Sequence, residues 1–181
     1  SEPRIEWNNS SSYGNRMATE SYFNSMNAIL SDANALAIQI EEGREFSDND
    51  KVESLARFGQ GASIGSLALI FDRVYAFDET GTLNDGEPYD FDQAILLALE
   101  KLDLAIAAAD RGDFTLAEGQ VYGQSLSSDQ WSQFLNTLAA RMYANSARNA
   151  TQKAALDWER ILNYAENGLT YDFAVGQDGW S

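Results

Sequence analysis

Apolar residues recur at helical spacing in five segments of the chain. In the middle segment they follow one another at steps of three and four, which places them on one helical face: Ala94, Ile95, Ala98, Leu99, Leu102, Ala105, Ile106 and Ala109. Strict two-residue alternation, the mark of a half-buried strand, is scarce. The pattern therefore predicts few strands and helices at roughly 15–42, 49–77, 91–110, 129–148 and 152–167, with a short turn possible near 115–119.

Start and stop signals accompany these segments. Ser or Thr or Asp followed three residues later by Gln or Glu fits a capping box, which satisfies free amides in a first helical turn; the pairs are Asp90 with Gln93, Thr115 with Glu118 and Ser127 with Gln130. Gly43, Gly112 and Gly168 stand where a left-handed residue after a helix is expected.

One apolar stripe per helix and short connections predict how the helices assemble. Consecutive helices should pack as antiparallel hairpins that stack on one another. We expect an all-α fold, a tetratricopeptide-like right-handed array, in which residues 1–181 form one helical domain. The start Ser1-Glu2-Pro3-Arg4 lacks a methionine and a signal-like apolar core, so we expect the chain to be a piece of a longer protein.

The second predicted helix contains an unusual number of small residues between Gly59 and Ser66. Each glycine within a helix costs about 1 kcal/mol relative to alanine. A close helix crossing would offset that cost, whereas a phosphate-binding loop would need a Gly-Lys-Ser or Gly-Lys-Thr step that the segment lacks. The sequence favours the helix crossing.

Charge and composition narrow the functional classes. Twelve Lys and Arg against 28 Asp and Glu give a formal net charge of −16, which repels nucleic acid and anionic lipid surfaces. The chain has no cysteine and no histidine, so the commonest general base, zinc ligand and reactive nucleophile are absent. Pairs of acidic residues are too frequent to indicate a glycosidase. We expect a protein that is not an enzyme and has no cofactor.

The acidic segment 78–89 offers oxygen ligands of the kind that calcium prefers, in Asp78, Asn84, Asp85 and Glu87. It departs from the EF-hand pattern, which needs glycine at the place of Leu83 and glutamate at the place of Tyr89. The favoured interpretation is a solvated loop between helices with no metal site, and calcium binding is the alternative.

Aromatic residues are the remaining candidates for ligand contact, because a flat ring can stack on the apolar face of a sugar. Those on the apolar stripes are predicted to be core residues: Phe71, Trp131, Phe134, Tyr143 and Trp158. Those outside the stripes, together with one amide neighbour, form the predicted ligand-binding set: Trp7, Asn8, Tyr13 and Tyr89. Trp180 also lies outside the stripes.

Four segments, taken in order, resemble the SusD/RagB family of glycan-binding outer-membrane lipoproteins. They are Tyr22 to Ile40 with its Ala33-Asn34 pair, the small-residue stretch Gly61 to Tyr75, Tyr89 to Ala109 with its Leu-Asp-x-Ala-Ile run, and Trp131 to Tyr143 with Asn136 and Arg141. The helix with Trp158, Tyr164 and Ala165 looks like one of the family's tetratricopeptide-like units. The chain departs from the family in its length, in the missing lipid-bearing cysteine, and at Phe77 to Gly81, where the family has an aromatic-Gly-x-x-Pro step.

The resemblance implies a non-catalytic component of a bacterial outer-membrane nutrient uptake system. Such a protein binds an oligosaccharide and passes it to a TonB-dependent transporter, and its full-length form is lipid-anchored at the cell surface. The alternative is a tetratricopeptide-like scaffold that grips a protein or peptide in the concave face of its helical array.

Overall fold

The computed structural model describes residues 10, 12–14, 16–121 and 123–174. The structure is 64% helix, so the all-α prediction is confirmed. The helices are α1 (Arg16–Glu41), α2 (Asn49–Ile70), α3 (Phe91–Arg111), α4 (Ser128–Ala144), α5 (Ala150–Ala154) and α6 (Trp158–Glu166), with a short 3-10 helix at Asn84–Gly86.

The strands are all two residues long and form antiparallel pairs. β1 (Arg73–Val74) pairs with β4 (Tyr89–Asp90), β2 (Phe77–Asp78) with β3 (Gly81–Thr82), and β5 (Thr115–Leu116) with β6 (Leu126–Ser127). These strand pairs lie in the connections between α2 and α3 and between α3 and α4.

The helices pack in chain order, since α1 contacts α2, α2 contacts α3, α3 contacts α4, and α4 contacts α6. One apolar core runs through this stack, and its largest buried side chains include Leu30, Ile64, Leu99, Trp131 and Leu135. Sequential stacking agrees with the predicted helical array; its tetratricopeptide-like, right-handed geometry stays a prediction.

Two helices end earlier than the sequence predicts, and only for the second predicted helix does the difference exceed the margin of about four residues on such bounds. The second was expected to reach residue 77, but α2 ends at Ile70 because the backbone turns extended at Phe71, with φ −99° and ψ 146°. Val74 in β1 and Ala76 in the following loop continue the apolar pattern of α2, and both are buried. Their burial comes from extended and loop backbone and not from a longer helix. The helix predicted at 129–148 ends at Ala144.

The last predicted helix, 152–167, is broken in two. Asn149 caps α5 by accepting a hydrogen bond from the Gln152 amide, and Asp157 caps α6 by accepting one from the Arg160 amide. The separate N-cap at Asp157 therefore starts a new helix.

Of the three predicted capping boxes, the one formed by Ser127 and Gln130 is confirmed with both reciprocal hydrogen bonds. Asp90 makes no side-chain cap, and Thr115 lies in β5, so those two predictions are wrong. Gly43 has the predicted left-handed φ of 79°, whereas Gly112 has φ −84° and needs no left-handed backbone. Gly168 is also absent from the positive-φ residues of the described chain; it is required by the close approach of a neighbouring side chain.

The predicted close crossing at the small residues of α2 is confirmed. A Cβ on Gly59 would lie 2.8 Å from the Cβ of Ala33 in α1, and a Cβ on Gly61 would lie 2.8 Å from the carbonyl oxygen of Ala98 in α3. The glycines therefore let α2 approach two helices at once.

Candidate functional site

A polar groove of about 550 Å³ lies where the C-terminal end of α3 meets α4, α6 and the segment after α6. Its volume lies in the range of sites for small ligands, about 300–1,000 Å³. Carboxamides, hydroxyls and carboxylates dominate its lining, which consists of Ile106, Asp110, Asp129, Ser132, Gln133, Asn136, Asn163, Glu166, Asn167, Gly168 and Thr170.

Helix α4 contributes a polar face beside its apolar stripe. Asp129, Ser132, Gln133 and Asn136 follow one another at steps of three, one and three, so they share one side of the helix. The side of α4 that carries Trp131 and Leu135 enters the core instead. The same helix thus anchors the fold and presents polar groups to the groove.

Two of these α4 residues are buried although they are polar. Ser132 and Asn136 are each only 7% exposed, and both line the groove. The Asn136 Nδ2 donates a 3.0 Å hydrogen bond to the Ser132 carbonyl oxygen. Within the described part of the chain, the Ser132 hydroxyl and the Asn136 Oδ1 have no hydrogen-bond partner. Both oxygens remain accessible from the groove, where solvent or a ligand can form the missing hydrogen bonds.

Helix α6 forms the opposite wall. Asn163 lies about one turn before Glu166 and the C-cap residue Asn167, and all three line the groove. The next residue, Gly168, lies close to α4, where a Cβ would be 2.7 Å from the Thr137 Oγ1. That oxygen accepts a 2.8 Å hydrogen bond from the Leu169 amide, which fastens the end of α6 to α4.

Three carboxylates give the groove a negative charge. Asp110 comes from the end of α3, Asp129 from the first turn of α4 and Glu166 from the last turn of α6. All three are exposed, and none forms a hydrogen bond or ion pair with another described residue. No Lys or Arg is among the described residues that line the groove. Among the described residues, no group of three acidic side chains is close enough to hold a metal ion.

A second cavity, of about 510 Å³, adjoins the groove on the other side of the segment after α6. Successive residues alternate between the two, since Gly168 and Thr170 line the groove while Leu169 and Tyr171 line the cavity. This cavity is aromatic and aliphatic with a few polar side chains, and its lining is Phe134, Thr137, Leu138, Arg141, Leu169, Tyr171, Asp172 and Phe173.

A buried ionic cluster holds the β2–β3 hairpin onto the helices. Arg57 of α2 pairs with Glu79 at 2.5 Å, and Lys101 of α3 pairs with Asp78 at 2.7 Å. Each of the four carboxylate oxygens accepts a hydrogen bond, the remaining donors being Gln60 and Thr80. Because every carboxylate oxygen of the cluster is engaged by a donor of the chain itself, we assign the cluster a structural role.

The cluster also shifts the pKa values of its acids. Burial by itself raises the pKa of Asp78, but hydrogen bonds from Lys101 and Thr80 outweigh burial and bring that pKa below its ordinary value. The pKa of Glu79 is lowered in the same way, against burial, by hydrogen bonds from Arg57, its own backbone and Gln60. The prediction of a solvated acidic loop is therefore wrong at its first two residues, which are ion-paired and mostly buried.

The predicted ligand-binding residues do not converge on the groove in the described chain. Trp7 and Asn8, like Trp180, lie outside the described residues. Tyr13 is half-buried in the turn before α1, and Tyr89 lies in β4, paired with Val74 and packed against the core. Neither of these two tyrosines lines the groove.

The predicted core aromatics are mostly in place. Trp131 and Tyr143 are buried, and Phe71 and Phe134 are half-buried against the core. Trp158 was wrongly predicted as core: it is 46% exposed. It is the first residue of the short helix α6, which buries Ile161 and Tyr164 instead.

The groove residues lie outside the ligand-binding set predicted from the sequence, which consists mainly of aromatic residues. A signal was present, since polar residues repeat at helical spacing on α4 and again on α6, including Asn136, which belongs to a segment that carries the family resemblance. Which helical faces meet, however, depends on the break at Asp157, which the sequence pattern did not show.

None of the helices in the described part of the chain has the length and apolar character needed to cross a membrane. Compared with models of known protein families, with curated proteins and with solved structures, the chain matches none.

Proposed function

We propose that this chain is a non-catalytic oligosaccharide-binding protein whose ligand lies in the polar groove of α3, α4 and α6. The observation that carries the proposal is the pair Ser132 and Asn136. Both residues are only 7% exposed, yet the Ser132 hydroxyl and the Asn136 carboxamide oxygen have no hydrogen-bond partner among the described residues and stay accessible from the groove. A ligand that donates and accepts hydrogen bonds would satisfy both.

The chemistry of the lining suits a saccharide. Each sugar hydroxyl is both a donor and an acceptor, and the groove offers carboxylate acceptors together with carboxamide groups of both kinds. Three exposed or half-exposed amides, from Gln133, Asn163 and Asn167, surround the two buried groups. The affinity should be modest, because the sugar gives up hydrogen bonds to water for each one that it makes.

The sequence resemblance supplies the biological setting of the proposal. It implies a full-length protein that is lipid-anchored at the bacterial outer membrane, takes part in nutrient uptake and delivers its oligosaccharide to a TonB-dependent transporter. Asn136 and Arg141, two residues that carry the resemblance, line the groove and the adjoining cavity respectively.

Peptide binding by a helical scaffold is the second candidate, and the aromatic cavity favours it. Phe134, Leu138 and Phe173 offer an apolar surface, and the Arg141 guanidinium has no partner among the described residues. A peptide side chain together with a carboxylate would suit that combination.

Titration calorimetry with a panel of glucans, fructans and pectic fragments tests the proposal. We expect one class to bind the wild-type chain, and Ser132→Ala or Asn163→Ala to weaken that binding about threefold to tenfold through the loss of one hydrogen bond. Asn24→Ala, an exposed asparagine on α1, is the matched control and should bind like the wild type.

The predicted roles of Trp7, Asn8, Tyr13 and Tyr89 are tested in the same titration. Alanine at Trp7 or Tyr13 should reduce sugar binding without lowering the melting temperature if these rings stack on the ligand. Heat from no sugar, together with tight peptide binding, would overturn the oligosaccharide proposal in favour of the scaffold.

A further inference from the structure

We infer that the ligand of the polar groove carries positive charge, and that it is an amino sugar with free amines, such as an oligomer of glucosamine. This inference rests on the proposed function and narrows its substrate class.

The unpaired carboxylates are the first observation. Some acidic side chains elsewhere in the described chain face a basic partner, as Asp50 faces Arg111 at 2.9 Å and Asp103 faces Arg160 at 2.8 Å, and others, such as the exposed Asp32, face none. At the groove, three helices converge and each brings a carboxylate, Asp110, Asp129 and Glu166, with no basic side chain among the lining residues. A cation bound in the groove would be attracted by all three carboxylates.

The buried polar groups are the second, independent observation. Ser132 and Asn136 are both 7% exposed and lie on successive turns of α4 at the groove, where their unpartnered oxygens can accept hydrogen bonds. An ammonium group donates three hydrogen bonds and accepts none, and sugar hydroxyls donate as well, so the ligand is rich in the donors that these oxygens lack.

The spacing of the carboxylates favours an extended organic cation over a metal ion. The three side chains line a groove of about 550 Å³ and are not close enough together to form a metal-binding cluster within the described residues. Uronic acids or sulfated sugars would be repelled both by the groove and by the net charge of −16.

A matched pair of ligands tests the inference. The trimers of glucosamine and of N-acetylglucosamine share one backbone and differ in whether the amines are free, so their difference in affinity isolates the charge. At a pH where the amines are protonated, we expect the glucosamine trimer to bind the full chain with one-to-one stoichiometry and about tenfold tighter, a preference that shrinks as salt is raised.

Variants place that charge effect at the groove. Asp110→Asn and Glu166→Gln should each weaken glucosamine-trimer binding about threefold to tenfold and leave N-acetylglucosamine-trimer binding unchanged. Asp32→Asn removes an exposed carboxylate on α1 and is the control for a general effect of net charge. All three changes are at exposed positions, so an unchanged melting temperature verifies the fold.

Each contrary result has its own meaning. Equal or tighter binding of the N-acetylated trimer, or an equal loss in Asp32→Asn, would overturn the inference while the proposed function stands. Spermidine binding the groove as tightly as the glucosamine trimer would overturn the assignment to a sugar. If neither trimer nor any sugar of the wider panel binds, the proposed function fails together with the inference.

Discussion

At the scale of single residues, Trp131 joins three helices. Its ring is 0% exposed, stacks on Phe134 at 5.1 Å between centroids, and packs edge-on against Phe58 at 4.9 Å. The indole Nε1 donates to the Ser54 Oγ of α2, and that hydroxyl donates to the Ala105 carbonyl oxygen of α3. Removing the ring leaves a cavity and an orphaned network.

Trp131→Ala should therefore lower the free energy of unfolding by about 3–5 kcal/mol. Trp158→Ala is the matched control, because this ring is 46% exposed, and it should cost less than about 1.5 kcal/mol. Urea unfolding of both variants checks the difference. Equal losses would show that Trp131 does not anchor the core.

The ionic cluster at the β2–β3 hairpin makes stability depend on pH. The folded pKa values of Asp78 and Glu79 lie below their ordinary values, so their contribution is fully present above about pH 5 and is lost as the pH falls through the folded pKa values. We expect the melting temperature to fall on acidification through that window.

Asp78→Asn tests this dependence directly. The change should cost up to about 3 kcal/mol at neutral pH and flatten the acid loss, since Lys101 keeps only its 3.6 Å contact with Glu79. Asp85→Asn, an exposed change in the same loop, should leave the pH profile of the melting temperature like that of the wild type. If Asp78→Asn kept the wild-type dependence of melting temperature on pH, the ionic cluster would be excluded as the cause of the acid destabilisation.

At the scale of elements, the small residues of α2 decide how closely three helices pack. Gly61→Ala gains about 1 kcal/mol of helix propensity, but the new Cβ would stand 2.8 Å from the Ala98 carbonyl oxygen and from the Leu102 Cγ. Moving the α3 backbone at Ala98 away from the new Cβ is costly. We therefore expect the free energy of unfolding to fall by about 1–3 kcal/mol, as measured by thermal or urea unfolding. A stabilised Gly61→Ala would contradict the close crossing.

The sequence predicted most of these elements because their apolar periods are long. The bounds of α1 and α3 agree with the prediction to within one residue at each end. The predicted cap at Ser127 marks the start of α4. The end of α2 was missed because Val74 and Ala76 continue the apolar period but are buried from extended backbone. The break between α5 and α6 was missed because the cap at Asp157 interrupts an otherwise continuous pattern.

At the scale of the whole molecule, the groove exists only because three helices converge. The polar faces of α4 and α6 can be read from the sequence, as Ser132 with Asn136 and as Asn163 with Asn167. That they face each other depends on the fastening of Leu169 to Thr137 and on the glycine at position 168, which are tertiary contacts. Sequence reasoning therefore found the fold class and missed the candidate site.

A nuclear magnetic resonance titration of the ¹⁵N-labelled chain tests the central claim most directly. The ligand is whichever oligosaccharide binds tightest among the calorimetric panel and the two trimers. The account predicts that the largest saturable amide shifts cluster at groove residues, among them Ser132, Asn136, Asn163 and Asn167, while amides of α1 stay in place. Shifts centred on the aromatic cavity around Phe173, or on the segment that holds Trp7 and Tyr13, with the groove unchanged, would contradict it, as would the absence of any shift with every oligosaccharide.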